Sequence, residues 1–489
     1  MIRQGKKIVA LTTVGVLLLG ACRSSGKAAT PTTQAPATTT TVAGGAATTT
    51  STASTAAPGT TTAGTTGGTT AATTGSTAAP DTTVPTTEAA KPWAVDTSTC
   101  DDPSKATAPI TGTLTIGSAQ PLTGPVAGAF APVTDGLNLY FDYANAQKLL
   151  PGITLKPAIG DDQYDPTKTP GVVSGLIDSG VNIFTGIIGT EDNDAVRDTL
   201  NKACIPQLNA LSGSPEWGND VAHFPWTTGA LVPYDIEAQI YADKIKETKP
   251  GATVGLFSVN NDFGKVFHDA FKAAADKDGL KIVDDQTIEP ADQAPPTNQV
   301  GSIAKNKPDT VVTVPLGLQC PIFLKELVNQ EAVNTGWKPV VYMTNTCGSR
   351  LLISALAAGA GDGVYTSSNL IDPQDPKNAD NAGYKTFKAA YDAKGLKGDI
   401  ATTATGWAVG EITVQILIAA QKSGTLSRES IINAARNLTF VPTLARDGTV
   451  YKMNGLKDTF PFQSLTVVQW NQAAGLYTDI GAENTSFES

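Results

Sequence analysis

Three hydroxyls on two nearby turns are the residues of this 489-residue chain best suited to recognition chemistry. Thr190 follows one short apolar run, and Ser212 and Ser214 follow another. Hydroxyls beside free backbone N–H groups can cradle a small anion such as a carboxylate. The same residue types also cap helices and turns, so both roles stay open here. Glu191, Asp192 and Asp194 crowd the turn after Thr190. Acids there offset a helix dipole, and Asp161, Asp162 and Asp262 fit turns. Catalytic signatures are missing: the sequence has no G-x-S-x-G elbow, no H-E-x-x-H and no P-loop. The glycine-rich stretch 359–363 precedes a strand instead of opening a helix, the wrong context for a dinucleotide. His223 and His268 are the two histidines, and neither has a Ser or Cys that spacing puts nearby. Without C-x-x-C spacing there is no zinc pattern either. The chain therefore reads as a binding protein with no catalytic residue, cofactor or metal.

Strands must hold those turns. Residues 182–188 are short, apolar and β-branched, as in a strand buried on both faces. A helix over 192–203 and a strand over 205–209 follow. The two loops then lie side by side beyond the carboxyl ends of parallel strands, the edge where open α/β sheets take ligands. Earlier strands are expected at 114–117 and 153–159, with helices at 133–148 and 167–179. A helix at 234–248 opens a second set. Its strands are 253–259, 281–287, 310–315 and 338–343, and its helices 263–278, 299–306, 322–330 and 350–358. Helices at 381–394, 402–423 and 427–438 follow, then alternating residues over 448–470. The fold class is α/β: two similar lobes, each a parallel sheet flanked by helices with right-handed crossovers. A folded part of this length suits two cores better than one.

The amino terminus reads as targeting sequence. Arg3, Lys6 and Lys7 precede an apolar run over 8–19 that is short for a membrane span. It ends in Leu19-Gly20-Ala21-Cys22, which resembles a bacterial lipobox and implies a signal peptide of 1–22, lipid on Cys22 and an extracytoplasmic, membrane-anchored protein. Residues 23–97 are Thr, Ala, Gly and Pro in low complexity, expected to be a disordered tether. The net charge of −10, with no basic run beyond the signal, argues against nucleic acid. Cys100, Cys204, Cys320 and Cys347 remain, an even number suited to disulfides outside the cytoplasm. Cys320 and Cys347 each follow an expected strand at one sheet edge, which pairs them; Cys100 and Cys204 fall near the opposite edge of the first sheet.

Over 112–479 the chain resembles the leucine/isoleucine/valine-binding protein family, substrate-binding lipoproteins of ABC importers with the type I periplasmic-binding fold. GTLTIGSAQPLTGP resembles the family's opening strand and loop, and GDDQYDP the end of its second strand. GIIGTEDNDAV and IPQLNALSGSPEW resemble its ligand loops, and VGLFSVNNDFGK the opening of the second lobe. GDGVYTSS resembles a hinge strand, and ATTATGWAVGEITVQILIAAQKSG the long late helix. The resemblance implies lobes of 110–229 with 367–440 and of 230–366 with 441–480. It places three hinge crossings near 226–232, near 364–371 and after Leu438. It puts Thr190, Ser212 and Ser214 at the α-carboxylate position, where Gly189 and Gly213 let backbone approach closely. Phe263 stands where the family usually has Tyr. Gln319 stands near the family's second-lobe acid for the α-ammonium, and no acid occupies 315–320. A buried ammonium without a countercharge costs several kcal/mol, so Glu191 or Asp262 would have to substitute. Tyr365 and Trp226, on crossings, are expected as ligand wedges or core. The implied solute is small and polar, an amino acid, an amide or a small carboxylate, and the implied partner is an ABC permease served by a monomer. A sensor of the same fold, signalling to a partner instead of feeding a permease, is the alternative; a surface hydrolase is a third.

Overall fold

The computed structural model describes residues 92–481. The expected signal peptide, lipobox Cys22 and nearly all of the tether lie outside the described residues. Both sheets described below belong to one compact unit.

The first sheet holds β1 (Gly112–Gln120), β2 (Ile153–Asp161), β3 (Ile183–Thr185), β4 (Gln207–Ala210) and β5 (Thr227–Gly229), ordered β2-β1-β3-β4-β5 and parallel throughout. The second holds β6 (Thr253–Val259), β7 (Lys281–Ile288), β8 (Thr310–Val314), β9 (Val340–Met343) and β10 (Tyr365–Ser368). A ribbon, β11 (Thr439–Phe440) with β12 (Tyr451–Lys452), stands apart. Then β13 (Thr466–Asn471) and β14 (Leu476–Asp479) return to the second sheet, ordered β14-β13-β10-β9-β8-β6-β7. β8, TVVTV, is buried at every residue, as a parallel strand covered on both faces must be. β7 lies at the edge and alternates exposed with half-buried residues. The second sheet is not wholly parallel: β13 pairs antiparallel with both β10 and β14.

The helices are α1 (Pro103–Thr107), α2 (Ala127–Ala146), α3 (Thr169–Asp178), α4 (Thr190–Lys202), α5 (Glu216–Asn219), α6 (Tyr234–Thr248), α7 (Asp262–Asp278), α8 (Thr297–Asn306), α9 (Gln319–Val333), α10 (Ala382–Lys394), α11 (Ile400–Ser423) and α12 (Arg428–Ala435). α7 shows why the boundaries fall where they do. The Asn261 side chain accepts from Gly264 N–H at 3.0 Å, and Gly279 ends the helix at φ 71°. α2 starts six residues before the expected 133, because Pro132 in its second turn forfeits one helix bond without stopping the helix. Over 350–358 a five-residue π-type turn, Leu351–Ala355, replaces the expected helix.

α11 is long and apolar enough to cross a membrane, but it is a core helix packed against α2. Glycines set that crossing. A Cβ on Gly136 would fall 1.9 Å from the Thr403 carbonyl oxygen, and one on Gly406 1.9 Å from that of Val133. Only hydrogen at these positions lets the two backbones touch.

Disulfides join Cys100 to Cys204, with Cα atoms 5.5 Å apart, and Cys320 to Cys347, with Cα atoms 5.9 Å apart. The first fastens the amino-terminal segment onto the first sheet's layer. That segment starts earlier than expected. Val95 N–H donates to Asn433 at 2.8 Å and the Trp93 carbonyl accepts from Asn437 at 2.9 Å, so residues 93–97 dock on α12 and are not tether.

The chain passes from the first sheet to the second after Gly229, and returns after Ser368 to α10–α12, which pack on α2 and α1. The last passage comes later than the expected 441. Arg436, fully buried, donates to the carbonyls of Pro225 at 2.9 Å and Thr227 at 2.5 Å, and its carbonyl accepts from Gly455. Phe460 packs on Gly218. This clamp keeps the β11–β12 ribbon beside the first sheet until β13.

Candidate functional site

Gly189 begins the site because it must take φ 112°, and a Cβ there would fall 2.1 Å from an Asp192 carboxylate oxygen. From that glycine α4 starts at Thr190, and β4 delivers Ser212 beside it. The two hydroxyls meet at 2.8 Å, and Ser214 N–H donates to Ser212 Oγ at 3.1 Å. Thr190, Ser212 and Ser214 are all buried. The structure thus brings the three predicted hydroxyls together.

They are not open to a ligand. Tyr234, in the first turn of α6, donates its N–H to the Gly213 carbonyl at 2.7 Å. Its ring packs on Gly213, where a Cβ would stand 2.6 Å from ring carbons. Tyr234 lines the interlobe cavity, and the three hydroxyls behind it do not. Burial pushes this phenol well above the usual tyrosine range. Nothing in the sequence distinguishes Tyr234 from an ordinary helix-opening residue.

Acids stand behind the notch. Thr169 Oγ1 bridges Asp192 at 2.8 Å and Asp162 at 3.3 Å, and both carboxyls are fully buried. Burial, then the neighbouring Asp162, pushes Asp192 up to about 8; burial pushes Asp162 up to about 6. Glu191 turns toward the second lobe, where its carboxylate accepts the Asp262 N–H at 2.7 Å. This first-lobe side chain thus holds the amino terminus of α7.

A cavity of about 250 Å³ lies between the lobes. Its first-lobe wall is apolar: Phe130 and Val133 from α2, Ala404, Ala408, Val409 and Ile412 from α11, and Ile188 and Leu211 before the two loops. Val232 and Tyr234 from the first crossing and Phe263 and Leu316 from the second lobe complete it. Phe263 stacks at 5.1 Å on Tyr234. Beyond lie Asn345, Thr346 and Ser349, after β9. Buried Glu237, raised to about 7 by burial, fixes that corner by accepting from Asn345 N–H at 2.6 Å, Tyr241 at 2.7 Å and Ser367 at 3.0 Å. At the hinge end three cations each meet an acid. Arg350 bonds to Asp372 at 2.5 Å, Arg446 pairs with Asp479, and Lys377 sits between Asp375 and Asp479.

Of the predicted ligand residues, Gly189 and Phe263 line this cavity, whereas Thr190, Glu191, Ser212, Gly213 and Ser214 stand behind its wall. Gln319 is committed elsewhere: its amide donates to the carbonyls of Glu289 and Asp292, both at 2.9 Å, and accepts from Leu316 N–H at 3.1 Å. Trp226 is core, and Tyr365 stacks on Tyr342 at 4.9 Å. His223 meets Asp220, and His268 meets Asp269 and Asp285, all away from the cavity. Among the described residues no cluster of His, Cys, Asp and Glu could hold a metal.

Comparison with known proteins agrees with this architecture. A family model described as periplasmic binding protein matches residues 113–475. Leu/Ile/Val-binding protein homolog 3 of Brucella melitensis is 24% identical over 37% of this chain. The match spans 48% of that relative, so the chain covers about half the length of the curated relatives it matches. A branched chain amino acid ABC transporter protein from Thermus thermophilus, solved with bound valine, superposes with a TM-score of 0.68 at 20% identity, covering 77% of this chain and 97% of its own. A fatty acid ABC transporter substrate-binding protein from Thermomonospora curvata gives 0.64 at 20% identity, over 77% and 92%. Members of this family are binding proteins and not enzymes. With a family model covering most of the described chain and two lobes closing on one cavity, the chain belongs to the periplasmic binding protein family, of the Leu/Ile/Val-binding type.

Proposed function

We propose that this chain is the solute-binding receptor of an ABC importer, taking a small molecule into the interlobe cavity and presenting the closed form to a permease. The observation that carries the reading is the interlobe cavity with its lobe-to-lobe fastening, Glu191 to the Asp262 N–H. Ligand drives closure only by binding the closed form more tightly than the open one. The family implies an extracytoplasmic location. We read Cys22 as the lipid-bearing residue and the low-complexity stretch after it as the tether that gives the receptor reach. The related proteins name leucine, isoleucine and valine in one case and fatty acid in another, at identities too low to choose between them. No feature of the site favours the sensor alternative.

The test is a thermal-shift screen of amino acids, amides, small acids and apolar acids, followed by small-angle scattering with each hit. A receptor gains melting temperature and loses radius of gyration with the same compound. A hit that stabilises without compaction removes the closing mechanism.

A further inference from the structure

The site described above offers an amino acid neither an open anion notch nor a free acid. At the first-lobe end Thr190, Ser212 and Gly213 do not line the cavity, and the Tyr234 ring packs on Gly213. A ligand carboxylate would have to displace a buried tyrosine to reach them. At the second-lobe end Gln319 carries no charge, and its amide is spent on backbone carbonyls. The acids that do line the cavity, Asp372, Asp375 and Asp479, each stand beside Arg350, Lys377 or Arg446. An α-ammonium would have to break one of these pairs. The wall along α2 and α11 is mainly hydrocarbon, the hydroxyls of Thr402 and Thr405 there, and of Thr366 on β10, being bonded within the protein, and the volume of about 250 Å³ exceeds the roughly 150 Å³ of a cavity that holds benzene. One hydroxyl on the cavity wall is unspent: Thr346 Oγ1 is buried without a partner beside Asn345.

Resting on the receptor reading, we infer that the solute is an elongated, mainly apolar molecule without an ammonium, an acyl or alkyl chain. Its body lies along α2 and α11, and its oxygen-bearing end meets Thr346 and Asn345. This replaces the small polar solute that the sequence implies. Burying each methylene contributes about 0.8 kcal/mol, so affinity should climb roughly fourfold per added carbon until the cavity is full.

Isothermal titration of the whole folded protein with butyrate, hexanoate, octanoate, decanoate, decanol and leucine tests this. The expected result is a stepwise gain along the acid series, binding of decanol that shows the chain and not the charge is read, and no heat with leucine. Ala408→Phe should then cut decanoate affinity at least tenfold and butyrate affinity little. Thr346→Val should cut decanol affinity threefold or more. A flat chain-length series, no binding of any chain, or leucine tighter than decanoate overturns the inference. Scattering with the bound compound keeps the two readings apart: leucine binding with compaction leaves the receptor standing and removes the apolar solute, while decanoate binding without compaction removes the receptor.

Discussion

Tyr234 shows how one residue can change the meaning of a motif. Thr190, Ser212 and Ser214 were legible as a group, because two turns after adjacent parallel strands must be neighbours. That the group is covered was not legible, because the Tyr234 ring arrives across the crossing from another lobe's helix. Tyr234→Phe keeps the ring on Gly213 and deletes only the oxygen, whereas Tyr234→Ala removes the ring. The alanine variant should cost about 3–5 kcal/mol in urea unfolding and the phenylalanine variant far less; equal losses would mean that the oxygen and not the ring closes the notch. Asp192 gives a second prediction at this scale. Its folded value of about 8 lies above the ordinary value of 3.8 that the unfolded chain would show. The native state therefore favours the protonated form: full stability holds below about pH 4 and is lost as pH climbs toward 8. Asp192→Asn cannot ionise, so its stability relative to the parent should rise across that window, by roughly 1–3 kcal/mol at pH 8. Melting curves of both proteins from pH 4 to 8 read this directly, and a constant difference would refute it.

At the scale of elements, alternation and helical period located most strands and helices, since buried parallel strands and amphipathic helices write their burial into residue type. The failures have particular causes. Pro132 reads as a helix boundary, yet the helix runs through it. The 350–358 stretch is helical in composition, but Ala358 and Gly359 take positive φ and the turn stays short. The lobe boundary at 441 fell too early because Arg436, a lone charge in the sequence, is the clamp that holds the ribbon back. Burial lowers that guanidinium to about 9, a cost the carbonyls of Pro225 and Thr227 offset. The α2–α11 crossing was also invisible, since Gly136 and Gly406, one on each helix, look like weak helix formers and not like a contact. Gly406→Ala should cost about 1–3 kcal/mol or more, because the obstructing atom is backbone and cannot rotate away. Both helices wall the cavity, so the same change should also weaken ligand binding. Stability lost with affinity intact would show that the helices shift without the cavity following.

At the scale of the molecule the question is what the lobes spend on closing. The described contacts between the first-lobe loops and α7 are few, and Glu191 to the Asp262 N–H is the one that bears a carboxylate. Burial raises the Glu191 carboxyl above its usual range. An accepting oxygen persists in either protonation form. A hydrogen bond to a charged group contributes about 1.5–3 kcal/mol and a neutral one about 1 kcal/mol. One or two kcal/mol changes a two-state ratio by roughly 5–30-fold. If the bond is absent when the lobes part, that factor belongs to the closed form alone, and ligand affinity carries it in full. Glu191→Ala should therefore enlarge the radius of gyration of the unliganded protein and weaken its solute by about fivefold or more. Saturating solute should restore the compact value, because the cavity wall is untouched. The melting temperature of each lobe's core should stay put, since the side chain packs against neither hydrophobic cluster. Scattering and calorimetry on the same sample separate these readings. Unchanged dimensions with unchanged affinity would mean the α2 contact with the 316–318 loop, where Val126 and Ala129 meet Gly317, holds the lobes together instead.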